Sequence, residues 1–167
     1  MRAARTAIMI LVLSVVTECR REIAMQITDL EFSISISRDE YRKGEPVPCK
    51  LALTNRGSQT LYVNKRMLVN YPQMQHDVYF EITDENGKKA PIGMLVNAGK
   101  PKDEDFEELE PDASVSKQID LARDFKLDPG SYTFKAVYEN STIPSRMDIS
   151  KVWKGKIESN TLNITIR

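Results

Sequence analysis

Few side chains in this sequence are equipped for bond-making chemistry. It holds one histidine, His76, and two cysteines, Cys19 and Cys49. A nucleophilic site needs a serine or cysteine beside an oriented base, and His76 stands between Gln75 and Asp77 with no nucleophile motif next to it. The densest acidic run is Asp103, Glu104, Asp105, Glu107, Glu108 and Glu110. Such oxygens suit calcium, but the spacing fits no EF-hand loop, and Lys100 and Lys102 alongside read as a solvated segment. A pair of carboxylates brought together by the fold is the one enzymatic arrangement this inventory leaves open. The expectation is a protein that is not an enzyme and that uses no metal or cofactor.

The two cysteines read differently. Arg2 and Arg5 precede an apolar stretch over residues 7–16, broken only by Ser14, and Thr17 and Glu18 follow. That is the layout of a secretory leader, and it is too short for the roughly 20 residues of a spanning helix. Cys19 comes directly after it, where a bacterial lipoprotein carries its lipid-modified cysteine. By that position Cys19 is a candidate lipidation site and the chain's expected route to a membrane, although Glu18 departs from the small residue usual before that cysteine. In residues 47–54, Val47, Cys49, Leu51 and Leu53 alternate with Pro48, Lys50, Ala52 and Thr54. The period of two places Cys49 on an apolar face as a buried thiol.

Candidate binding residues lie near the C-terminus. Trp153 stands among Lys151, Lys154 and Lys156, and an aromatic among cations can anchor a polysaccharide or a protein partner. Trp153 and Lys154 are therefore the candidate partner-binding pair, the alternative being that the indole plugs a loop against the body of the fold. Nucleic acid is not an expected partner. The 24 basic and 24 acidic side chains balance and form no Lys/Arg-rich block.

The elements that would position these residues are strands. Leu30, Phe32, Ile34 and Ile36 alternate with Glu31, Ser33, Ser35 and Ser37; Val78, Phe80 and Ile82 alternate with Asp77, Tyr79 and Glu81. Tyr132, Phe134, Ala136 and Tyr138 share one face, as do Leu162, Ile164 and Ile166. Further strands are expected over 47–54, 60–64, 106–109 and 114–121, although Lys117 interrupts the apolar side of the last. Asn86-Gly87 signals a hairpin whose return strand should begin at Lys88. Roughly seven to nine short strands between turns, with no long amphipathic helix, predict an all-β antiparallel sandwich. Residues 1–24 are expected to be the leader and its flank, and 25–167 a single domain.

Asp128-Pro129-Gly130-Ser131-Tyr132 matches the corner pattern of immunoglobulin domains, in which a tyrosine hydroxyl bonds to upstream backbone, with Phe134 where an antibody domain has its second sheet-linking cysteine. Asp128, Gly130 and Tyr132 are the candidate structural corner. Further signposts are Tyr41-Arg42-Lys43-Gly44-Glu45-Pro46-Val47, Leu53-Thr54-Asn55-Arg56-Gly57, Phe80-Glu81-Ile82-Thr83-Asp84-Glu85-Asn86-Gly87, Leu109-Glu110-Pro111 and Trp153-Lys154-Gly155-Lys156-Ile157-Glu158-Ser159-Asn160. With these the chain resembles bacterial exported immunoglobulin-like domains. It is also similar to the non-catalytic β-domain that accompanies deuterolysin-type and peptidyl-Lys metallopeptidases, and more distantly to an intracellular proteinase inhibitor domain. Those metallopeptidases carry a His-Glu-x-x-His helix; with one histidine this chain matches the accessory domain alone.

The resemblance implies an immunoglobulin-like, non-catalytic module outside the cytoplasm, whether periplasmic, cell-surface or secreted, that binds a protein or envelope component. The alternative is a proteinase-inhibitor-like domain. Either role would use the loops over 67–75, 98–105 and 140–156.

Overall fold

The computed structural model describes residues 29–93 and 96–167. The expected leader over 1–24 and Cys19 lie outside the described residues. In chain order the elements are β1 (Leu30–Ile36), β2 (Glu40–Tyr41), β3 (Pro48–Asn55), β4 (Leu61–Asn64), β5 (Val78–Asp84), β6 (Phe106–Leu109), β7 (Ser114–Asp120), a helical turn α1 (Leu121–Asp124), β8 (Gly130–Asn140), β9 (Gly155–Glu158) and β10 (Leu162–Ile166). The all-β antiparallel sandwich expected from the alternation is the fold the chain adopts.

One sheet has the order β1-β3-β7, and the facing sheet runs β2-β10-β8-β5, with β9 also on β8. A separate β4-β6 pair flanks them. The ladders are antiparallel apart from the two-residue contact of β2 with β10. Alternation explains the layering. Leu30, Phe32 and Ile34 of β1, Cys49, Leu51 and Leu53 of β3, and Tyr132, Phe134, Ala136 and Tyr138 of β8 point into one shared core. Phe32 meets Tyr138 across the sheets with ring centres 5.9 Å apart. Cys49 is fully buried and free, and loss of solvation pushes its thiol pKa up to about 12, so it stays protonated and unreactive.

Two departures from simple alternation matter. The Asn86-Gly87 turn forms, with Gly87 at φ +77° and its N–H donating to Asp84 O at 2.9 Å. The chain after Lys88 is nevertheless not a strand. Ala90 N–H still donates to Ile82 O at 3.0 Å, but Pro91 follows, has no N–H for the ladder, and passes its carbonyl to Lys126 N–H at 2.8 Å. The second departure is β9, which follows the same edge of β8 as β10, from Val137 to Asn140 where β10 takes Gly130 to Phe134. Counting the two as one interrupted strand gives nine among the described residues.

The interruption ties the sheets together. Ser159 N–H donates to Ala136 O at 2.8 Å, and Ala136 N–H returns to Ser159 Oγ at 2.9 Å. Asn160 then leaves the β8 ladder, and its side-chain amide takes the place of a strand beside β1. Its Oδ1 accepts from Ile34 N–H at 2.9 Å and its Nδ2 donates to Ile34 O at 3.1 Å. Removing that amide leaves a part-buried donor and acceptor unpaired, which costs about 1–3 kcal/mol per group before water re-enters. Asn160→Ala is expected to lower unfolding free energy in urea by roughly 1–3 kcal/mol with the denaturant slope unchanged; an unchanged midpoint would show that the bridge adds nothing.

Candidate functional site

The β4–β5 connection, the segment before β6 and the β8–β9 connection meet at one end of the sandwich. These are the loops that contain residues 67–75, 98–105 and 140–156. Strand polarity brings them there, since β5 begins beside the point where β8 ends, with Val78 opposite Tyr138, and β4 ends opposite the start of β6, with Asn64 beside Phe106. Side chains then bind loop to loop. Arg66 Nη1 donates to Gly99 O at 2.7 Å, and Asn70 Nδ2 donates to Gln75 O and Val96 O at 3.0 and 2.9 Å. Asp103 accepts from Ser145 N–H at 2.7 Å and Ser145 Oγ at 2.9 Å.

At the centre is the buried carboxylate of Asp77. Its two oxygens accept from Arg66 Nη2 at 2.8 Å and Nε at 2.7 Å, and Oδ2 also accepts from Leu68 N–H at 2.9 Å. The hydrogen bonds to Asp77 raise the Arg66 pKa further, so the guanidinium is always charged. Between Arg66 and Leu68 sits Met67, fully buried at φ +43°, a left-handed conformation that costs a non-glycine residue about 1–3 kcal/mol. The turn holds because its polar groups have partners. Asn64 Oδ1 accepts from Arg66 N–H at 3.0 Å, and the Lys117 ammonium donates to Arg66 O at 2.6 Å and Met67 O at 3.3 Å. The charge that breaks the apolar side of β7 is thus a clamp on this loop.

The core reaches the same turn through Tyr138. Its hydroxyl accepts from Asn64 N–H at 2.9 Å and donates to Asn64 O at 3.2 Å, and burial pushes its pKa up. Its ring lies 5.4 Å from that of Trp153. Trp153 itself is 0% exposed, so the indole presents no surface to a partner and the candidate anchor is a core plug. Its backbone N–H donates to Tyr62 O at 3.0 Å and its backbone carbonyl accepts from Asn140 Nδ2 at 2.7 Å, which draws the tryptophan inward between β4 and β8. Lys154 is half-buried next to it. Of the neighbouring lysines, Lys156 places its ammonium 5.2 Å from the centre of the Tyr79 ring.

The other residues singled out from the sequence lie elsewhere. The candidate corner is at the opposite end, where Tyr132 Oη donates to Asp128 O at 2.9 Å and Gly130 has φ +153°, a region closed in practice to side chains. The Asp128 carboxylate bonds Lys43 Nζ at 3.0 Å, which lowers its pKa. The acidic run does not converge. Asp103 faces Ser145, Glu107 pairs with Lys65, and Glu110 accepts from Thr60; the described residues contain no group of three metal-ligating side chains. His76 Nδ1 donates to Met74 O at 2.8 Å, leaving Nε2 3.7 Å from a Glu139 oxygen.

The loop end carries the exposed large hydrophobic side chains of the described surface. Met74, Val96, Ile143 and Ile149 are 41%, 39%, 46% and 55% exposed, and they are the large hydrophobic side chains in the open among the described residues. Each belongs to one of these loops or flanks it. The two hollows between the loops hold about 200 and 210 Å³, below the roughly 300–1,000 Å³ of small-molecule sites. A third groove of about 320 Å³, under Tyr71 and Pro72 beside β5, is at that lower limit. This geometry suits contact with a surface more than enclosure of a small molecule.

Two measurements check the clamp. Asp77→Ala leaves the Arg66 charge buried without its partner and is expected to cost about 3–5 kcal/mol in denaturant unfolding; a loss below about 1 kcal/mol, the value of an exposed pair, would remove Asp77 from the centre of the site. For Lys117, burial lowers the pKa from 10.5, so the unfolded chain holds the proton more tightly than the folded one. The stability of the wild type relative to Lys117→Met should therefore rise with pH through the window that ends near 10.5. A pH-independent difference would mean the ammonium is not desolvated.

No family model matches the chain, and no curated protein matches its sequence, so the reading of the site rests on its own geometry.

Proposed function

We propose that this chain is a non-catalytic, immunoglobulin-like module displayed outside the cytoplasm, and that it binds a protein or envelope component through the loop end. The observation that carries the reading is the confinement of Met74, Val96, Ile143 and Ile149 to three loops fastened to each other and to the core. Single exposed hydrophobics are ordinary on any surface, but a set restricted to one end marks an interaction site. The fastening matters as much as the apolarity, because loops already ordered lose less entropy on binding. The leader pattern supports export, and Cys19 is the residue through which a lipid would tether the domain. The Tyr132 hydroxyl on the Asp128 carbonyl supports the immunoglobulin-like assignment.

A second reading, a proteinase-inhibitor-like domain, draws on Arg146. Its side chain is 90% exposed next to Ser145, whose backbone is held by Asp103, a fixed segment presenting a cation. Inhibition of trypsin-like proteases by the full chain, lost in Arg146→Ala, would establish that reading in place of the first.

The proposed binding face is tested by photo-crosslinking in the native host. A photoreactive residue at position 143 or 149 is expected to give a covalent adduct with one extracytoplasmic component. The same residue at position 86, in the turn at the far end, is expected to give none. Equal adducts from all three positions, or none from 143 and 149, would overturn the assignment.

A further inference from the structure

The strand register leaves the outer edge of β7 open. Asn55 N–H donates to Ala113 O at 3.0 Å and Leu121 N–H donates to Val47 O at 2.9 Å, which fixes the odd-numbered residues of β7 as those bonded to β3. In an antiparallel ladder the intervening residues turn their backbone groups the other way. The N–H and C=O groups of Ser114, Ser116 and Gln118 therefore face outward, and no described strand pairs with them. Other edges are taken up in part. Asn160 occupies β1 at Ile34. Asn70 and Ala90 bond the carbonyls of Val78 and Ile82 on β5, and β2 is two residues long.

Sheet edges in soluble proteins are commonly protected by charge, proline or a bulge. The β7 edge has none of these on its solvent face, where Ser114, Ser116 and Gln118 are exposed and neutral. Its one lysine, Lys117, points inward and is held by the carbonyls of Arg66 and Met67. With no charge to select an acidic or basic peptide, the edge best fits a strand like itself.

We propose that β7 pairs antiparallel with β7 of a second copy of this chain, centred on Ser116, so that the sheet β1-β3-β7 continues across a twofold axis. The register follows from charge. Centring the pair on Lys117 would set two ammonium groups directly opposite at roughly 4.5–5.5 Å. Centring it on Ser116 sets each Lys117 opposite Val115 of the other copy and brings Ser114 against Gln118. This assembly does not depend on the binding role proposed above.

Sedimentation of the full chain over a concentration series tests it. The wild type is expected at twice the mass of one chain, dissociating on dilution. Ser116→Lys and Ser116→Glu, whose new side chains face solvent, are each expected at the mass of one chain, because like charges then meet across the axis. An equimolar mixture of the two is expected to regain the doubled mass, which only folded variants can do. A wild type at the mass of one chain throughout, a Ser116→Lys variant still at the doubled mass, or folded variants that do not associate when mixed would each overturn the proposal.

Discussion

The carboxylate of Asp77 is the interaction on which the functional end of this protein depends. It sits at the entry to β5, removed from water, and accepts both hydrogen bonds of the Arg66 fork together with Leu68 N–H. A buried charge is costly alone and tolerable only when its lone pairs are filled. Here filling them sets a turn in which Met67 takes a left-handed backbone and drives its side chain into the core. Arg66 extends the same network to Gly99, and Lys117 reaches in from the opposite sheet to the two carbonyls the turn exposes. Interactions between residues far apart in sequence thus decide the shape of a loop that its own sequence leaves undetermined.

The two ends of the sandwich differ in kind. At the far end, tight turns close on themselves, as in the Asp84–Lys88 turn and the Tyr132–Asp128 corner. At the loop end, long connections are held by one another and by buried polar groups, with Asn140 fixing the carbonyls of Thr142 and Trp153 and Tyr138 fixing Asn64. The second arrangement displays side chains on a rigid base. Among the described residues, Cys49 is buried as a thiol and His76 is bonded to Met74 and set edge-on to Tyr79. What this end offers a partner is four exposed hydrophobic side chains set among polar ones.

Much of the frame was legible because period-two alternation is a local signal. β1, β3, β5, β8 and β10 follow from runs such as Tyr132, Phe134, Ala136 and Tyr138. β9 was not, since Gly155-Lys156-Ile157-Glu158 has one apolar residue and owes its strand to the free edge of β8. The return strand at Lys88 failed because Pro91 cuts it short after the turn has formed. Trp153 among its lysines could be read as a partner anchor or as a plug, and its complete burial makes it the plug, because excluding one indole from water outweighs the flanking charges. The loops were identifiable as loops. Their convergence was not, because it rests on Asp77–Arg66, Asp103–Ser145 and Asn70–Val96, contacts with no periodic signature. Lys117 was the available clue, being a cation on an apolar face that requires nearby acceptors.

Residue-resolved hydrogen exchange on the native full chain tests the central claim most directly, because it reads how firmly the loop end is held. With Asp77 as the organising group, Leu68 N–H exchanges only on global unfolding, as slowly as the core amides of β8, and becomes fast in Asp77→Asn while β8 stays protected. Exchange of Leu68 N–H at the rate of an open loop in the wild type would contradict the account.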